Sequence, residues 1–184
     1  MKKITFFLTT AFFALSAVNT AKADSYQYTP YVGVDYIYSR LTARNFKPYY
    51  NVAGIHIGSD YGKYFGTEVF FNKSDGNKRH ITSGSIKTSY RAYGLDLMAY
   101  LPLGCHKRFA LIGTAGIGEY VFKTTVSPAK HHNESAHGQR FGGGFKYAFN
   151  NNWGIKVLTR YVNFDKSKLY DYAMEYSASI EYHF

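Results

Sequence analysis

The last nine residues, 176–184, read Tyr-Ser-Ala-Ser-Ile-Glu-Tyr-His-Phe and alternate between two chemistries without a break. Successive side chains of a strand point to opposite faces. Tyr176, Ala178, Ile180, Tyr182 and Phe184 therefore share one face, and Ser177, Ser179, Glu181 and His183 share the other. An apolar, aromatic face backed by hydroxyls and ionisable groups suits a strand with lipid outside and an enclosed polar interior. This segment alone predicts a membrane-spanning strand of a closed barrel.

The opposite end is consistent with export. Lys2 and Lys3 precede an apolar run over 4–18, and Ala21-Lys22-Ala23 places small residues where signal peptidase reads them. At about 15 residues the run is shorter than the roughly 20 a helical membrane span needs. Residues 1–23 are expected to be a cleaved signal peptide and 24–184 a single barrel domain.

Composition supports that domain. Fifteen Phe and nineteen Tyr are more rings than a core of this size needs, and they suit aromatic belts at two membrane interfaces. The net charge of +10 becomes +7 when Lys2, Lys3 and Lys22 leave with the signal, since 19 basic residues then face 12 acidic ones. For an exported chain that balance points to lipid headgroups, lipopolysaccharide or other anionic polysaccharides and not to nucleic acid. The single cysteine, Cys105, forms no disulfide framework.

Alternating runs and polar breaks divide the remainder into eight strands. They are expected at 30–40, 52–59, 65–72, 88–101, 109–123, 140–149 and 153–162, with the last after 171. The segments 73–87 and 124–139 read as long polar loops. Glu119 falls on the apolar face of its strand, which predicts either a position near the barrel mouth or a phase-shifting bulge. Connections alternate short and long, as when turns face the periplasm and loops face outside. The fold expected is an all-β, closed, antiparallel, eight-stranded transmembrane barrel of up-and-down meander topology.

Several runs carry a resemblance: Phe65-Gly-Thr-Glu-Val69, Gly113-Thr-Ala-Gly-Ile-Gly118, Phe141-Gly-Gly-Gly-Phe-Lys-Tyr147 and the aromatic carboxyl terminus. In this order they resemble the small eight-stranded outer-membrane barrels, the superfamily of the OmpA membrane domain, OmpX and the opacity proteins. The resemblance implies residence in the outer membrane of a Gram-negative bacterium. It also implies that Tyr176, Ile180, Tyr182 and Phe184 form the signal read by the barrel assembly machinery. Leu158, between Lys156 and Arg160, departs from a family in which an acidic residue is common in the seventh strand. No peptidoglycan-binding domain is expected, so attachment to the cell wall is not implied.

Two candidate sites follow. Asp35, Glu68, Asp96, Glu175 and Glu181 are expected in the lumen with Lys146, Lys156, Arg160, His56 and His183, where buried charges must pair. The lumen is read as a salt-bridge plug, with a narrow ion path as the alternative; eight strands leave room for side chains and not for an open pore. Lys73, Lys78, Arg79, Lys123 and Lys130 are expected to form a basic loop surface, with Arg44, Lys47, Lys87 and His80 nearby. Its partner is lipopolysaccharide or an external polyanion. His131, His132 and His137 match no closed metal site, so neither a metal nor a cofactor is expected. Some barrels of this size are lipid A modifying enzymes that use a His and a Ser, and His131-His-Asn-Glu-Ser135 and His80-Ile-Thr-Ser83 do not reproduce their motifs; the chain is read as non-catalytic, with a lipid A modifying enzyme as the lesser alternative. A soluble lipocalin-type barrel would need the apolar faces turned inward.

Overall fold

The computed structural model describes residues 28–42, 47–81, 84–104, 108–126, 130–165 and 170–184, with the backbone alone for 78–81, 84–86, 126 and 130–132. The expected signal peptide, Arg44, Ser83 and Cys105 lie outside the described residues. Nine strands follow in order: β1 (Tyr28–Thr42), β2 (Tyr49–Tyr61), β3 (Phe65–Ser74), β4 (Asn77–Ile81), β5 (Gly84–Leu103), β6 (Phe109–Val126), β7 (Lys130–Ala148), β8 (Trp153–Asp165) and β9 (Tyr172–His183).

Every pairing is antiparallel, and β1 pairs with β9 to close the ring. β3 runs along residues 91–99 of β5, and β4 runs along 84–88 of the same strand. The two are therefore one stave interrupted at Asp75 and Gly76, and the barrel has eight staves. At one end the chain turns tightly. Gly62 there adopts φ 64°, a left-handed conformation that a side chain would strain. The Asn150 carboxamide oxygen accepts from the backbone N–H of Asn152 at 2.9 Å and of Trp153 at 2.7 Å.

The other end corrects the expected loops. Residues 77–81 pair with 84–88, and 130–139 pair with 117–126, so both polar segments are hairpin arms rather than long loops. β5, β6 and β7 reach 20, 18 and 19 residues, whereas β9 has 12. The arms lack apolar alternation because neither of their faces has to meet lipid. Their backbone groups are instead satisfied by pairing across each hairpin and between β5 and β6. Glu119 needs no bulge, because the β5–β6 register runs unbroken from Ile86 opposite Val126 to Leu103 opposite Phe109. Its carboxylate faces outward and accepts a hydrogen bond from Tyr93 Oη at 2.7 Å.

The outward face is apolar between two sets of rings. Val34, Ile55, Leu97, Ile117 and Ile180 are each 51–63% exposed. Tyr36, Tyr38, Tyr49, Phe71, Phe141 and Tyr161 lie toward the arm end, and Tyr64, Phe65, Phe109, Tyr147 and Trp153 toward the turn end. Such exposure would be untenable in water and is what a lipid-facing wall requires.

Candidate functional site

Inside the barrel, glycine and charge are complementary. A Cβ on Gly33 would overlap the His56 imidazole, one on Gly116 the Asp96 carboxylate, and one on Gly142 the Arg160 side chain. These inward glycines make the space into which long ionisable side chains fold.

The charges form a chain of alternating sign. Starting at the turn end, Asp60 meets Lys146 at 2.9 Å, and Lys146 meets Glu181 at 3.2 Å. Lys156 bridges Glu181 at 2.6 Å and Glu68 at 2.5 Å. Arg160 continues from Glu68 at 3.8 Å to Asp96 at 3.5 Å, and Arg140 from Asp96 to Glu175 at 3.4 Å each. A branch adds Asp35, which accepts hydrogen bonds from Ser179 Oγ and pairs with His56 Nδ1 at 2.7 Å. His183 lies beside Glu181 at 3.5 Å. All ten residues expected in the lumen from sequence take part in this network.

Arg140, Asp60 and Tyr31, whose Oη donates to Glu68 at 3.1 Å, are members that the sequence reading does not assign. Arg140 is 1% exposed, with its guanidinium 3.6 Å from the Phe70 ring centroid. Its position in the alternation, two residues before the inward Gly142, would have revealed it. Asp60 reads as a turn residue but lies within the last turn-end residues of β2 with its carboxylate turned inward, where Tyr100 Oη also donates to it at 2.8 Å.

His56, Glu68 and Glu181 present possible ligand atoms within 4.8 Å of one another. The Lys156 ammonium lies against both carboxylates and supplies their positive partner, so this trio is internally compensated.

Above Glu175 the interior changes character. Ile37, Leu41, Tyr50, Val52, Phe70, Tyr90, Tyr120, Phe122, Val162, Phe164, Tyr170 and Ala173 pack as one buried cluster. Phe122 lies 4.6 Å from Tyr170 and 5.7 Å from Phe164, centroid to centroid. Tyr120 Oη joins the two regions by donating to Glu175 at 3.2 Å. The arm end of the lumen is thus filled by rings from several staves.

The cations assigned to loops lie elsewhere than expected. Lys73 is exposed on β3 and Lys123 on β6, both on the outward face. Lys78 and Arg79 belong to β4 and Lys130 begins β7, in the part of the arms where the backbone alone is described. His131 and His132 share that condition, whereas Ser135 and His137 are exposed.

A family model for the outer membrane protein beta-barrel domain matches residues 7–184. The chain belongs to this family. It is a protein of the bacterial outer membrane, crossing it with strands. Neisserial surface protein A superposes with a TM-score of 0.72 at 13% identity, covering 84% of this chain and 97% of that one. Ail of Yersinia pestis, solved with the heparin analogue sucrose octasulfate, gives 0.63 at 16% identity, covering 86% and 99%. The N-terminal barrel of Pseudomonas aeruginosa OprF gives 0.59 at 14%, covering 86% and 100%. No curated protein matches the sequence significantly.

In this outer-membrane barrel the terminal residues assigned to assembly take lipid-side positions. Tyr176, Ile180 and Phe184 are 48%, 51% and 72% exposed, and Tyr182 packs edge-on against Trp153 at 5.0 Å. The Phe184 backbone N–H donates to Pro30 C=O at 3.0 Å, tying the last residue to the first stave.

Proposed function

We propose that this outer-membrane barrel is a non-catalytic surface protein, exported by a signal peptide spanning residues 1–23, whose basic arms bind polyanions in the manner of an adhesin. The arm end faces outward from the cell in this reading. The carrying observation is the pair of arms, which raise Lys73, Lys78, Arg79, Lys123 and Lys130 on paired strands instead of loose loops. Fixed spacing lets several cations meet one polymer together, and their summed field steers it in. Ail, a barrel of the same fold, was solved with a heparin analogue bound, which supports this ligand class.

The lumen network serves as a plug in the same reading. Paired charges fill the turn-end half and packed rings fill the arm-end half, which disfavours a conducting pore. Tyr176, Ile180, Tyr182 and Phe184 serve as the recognition strand for the assembly machinery.

The test is adhesion of cells displaying the protein to immobilised heparin across a salt series, beside a K78Q/R79Q/K130Q variant whose assembly is verified by its mobility change on boiling. Native cells are expected to bind, with retention falling as salt rises, and the variant to lose most of that binding. Equal retention of both strains would defeat the polyanion reading.

A further inference from the structure

Beyond the lipid-facing wall, β4, β5, β6 and β7 continue as one four-stranded sheet, whose pairing aligns residues far apart in sequence. Lys78 stands directly opposite Lys87, Lys87 opposite Thr125, and Thr125 opposite His131. Directly opposite residues share a face. These four therefore form a single row across the sheet, about 14 Å long at the ordinary strand spacing. His80, two residues beyond Lys78 on β4, shares that face and stands opposite Ser85. Lys87 is exposed there, with its side chain across Gly76.

Like charges directly opposite one another destabilise a sheet unless something neutralises them, and Lys78 and Lys87 are such a pair. The nearest described acids of the outward wall, Asp75 and Glu119, lie toward the membrane and are engaged. Asp75 accepts from Asn51 N and Nδ2 at 3.2 and 3.4 Å, and Glu119 from Tyr93 Oη at 2.7 Å. The row thus suits an anion from outside the chain, long enough to reach from β4 to β7. A linear sulfated polymer lying across the strands has that form.

Histidine makes the row sensitive to acid. Imidazole gains its positive charge between about pH 7 and about pH 5. His131 closes the row and His80 flanks Lys78, so acidification adds charge to a run that already holds two lysines. His131 is faced from β6 by Thr125 and His80 from β5 by Ser85. The other charged residue close on this face is Lys123, one row below, opposite Ser89 and Asn133. The remaining arm histidines are placed differently. His137 stands between Glu119 and Asp165, directly opposite both, so a proton taken up there is compensated within the chain. His132 falls on the other face of β7, with Glu134.

We propose that the outward face of the arm sheet is an acid-strengthened polyanion seat, on which a linear sulfated polymer lies across β4 to β7 against Lys78, Lys87 and His131, with His80 joining as it takes up a proton. This rests on the polyanion reading above and adds to it the path of the polymer and the sense of its pH dependence.

The experiment is retention of cells on immobilised heparin at fixed ionic strength, at about pH 7.5 and about pH 5.5. Sulfate esters keep their charge over that range, and assembly of each variant is verified by its mobility change on boiling. Native cells are expected to be held about tenfold more tightly at the lower pH, the gain that two added exposed ion pairs imply. H80Q/H131Q should match the native protein at the higher pH and lose the gain, and H80K/H131K should hold the tight state at both. Should H80Q/H131Q fail to assemble, H131Q alone supplies the readout, with the gain reduced to about threefold. H137Q should keep the full gain, whereas K87Q, which interrupts the row, should weaken retention at both values. Native retention equal at the two values, a full gain in H80Q/H131Q, a gain abolished by H137Q, or K87Q indistinguishable from native would each overturn the proposal. Retention that K78Q/R79Q/K130Q removes but pH leaves unchanged would sink this inference alone, whereas no retention at either pH would remove the polyanion reading with it.

Discussion

The two halves of the barrel interior solve the same filling problem with opposite chemistry. In the turn-end half, Asp60, Lys146, Glu181, Lys156, Glu68, Arg160, Asp96, Arg140 and Glu175 alternate in sign along one path. In the arm-end half, Tyr90, Tyr120, Phe122 and Phe164 pack ring against ring. The charged half depends on completeness, because each ion sits between partners and removal of one leaves others buried without compensation. The aromatic half depends on volume, because dispersion and burial are shared among many contacts. Tolerance to substitution should therefore differ between them.

The largest test of that contrast is Lys156→Met, which leaves Glu68 and Glu181 without their shared cation. It is expected to destabilise the barrel by about 3–5 kcal/mol, read from the urea midpoint of reversible folding in micelles. Adding Glu68→Gln and Glu181→Gln should recover most of the loss. Failure to recover would mean that lost packing, and not stranded charge, dominates. In the aromatic half, Phe122→Ala should cost about 3 kcal/mol, while Phe122→Leu should cost less than about 1.5 kcal/mol. If both changes were equally severe, the rings would be making a directional contribution beyond filling space. The smallest expected effect is on conductance. Arg160→Ala loosens the charged half but leaves the aromatic seal, so planar-bilayer recordings should stay as silent as those of the native protein. A new conductance would show that current reaches and passes the rings.

The same contrast explains how much of the molecule was legible in the sequence. Strand alternation is plain where one face meets lipid and the other meets charge, as from Val32 to Asp35 or from Tyr176 to His183. The charged lumen residues followed directly from that pattern. It fails at the arm end, where Ile37 and Leu41 point inward while Tyr36 and Tyr38 point outward, so that both faces are apolar. For this reason the sequence does not mark Phe122, Phe164 and Tyr90 as a packed seal. The arms failed differently. Residues such as 73–87 are Gly-, Ser- and Lys-rich, and what makes them extended is pairing across a hairpin that their side chains do not announce. Arg91, exposed on the outward face of β5, stands within a strand and away from the polar segments that suggest basic loops.

Closure of β1 on β9 acquires a further role from the glycines of the lumen. The lipid face is apolar over much of its height, so sliding one stave by two residues would leave that face nearly unchanged. The interior does not allow such a shift. Gly33 lies beneath His56 and close to the Ile180 carbonyl, and a two-residue displacement would bring Tyr31 or Asp35 into that place. The hollows and long side chains of the lumen thus act as a combination lock that only one alignment opens, selecting a single register when the newly inserted ends of the chain meet.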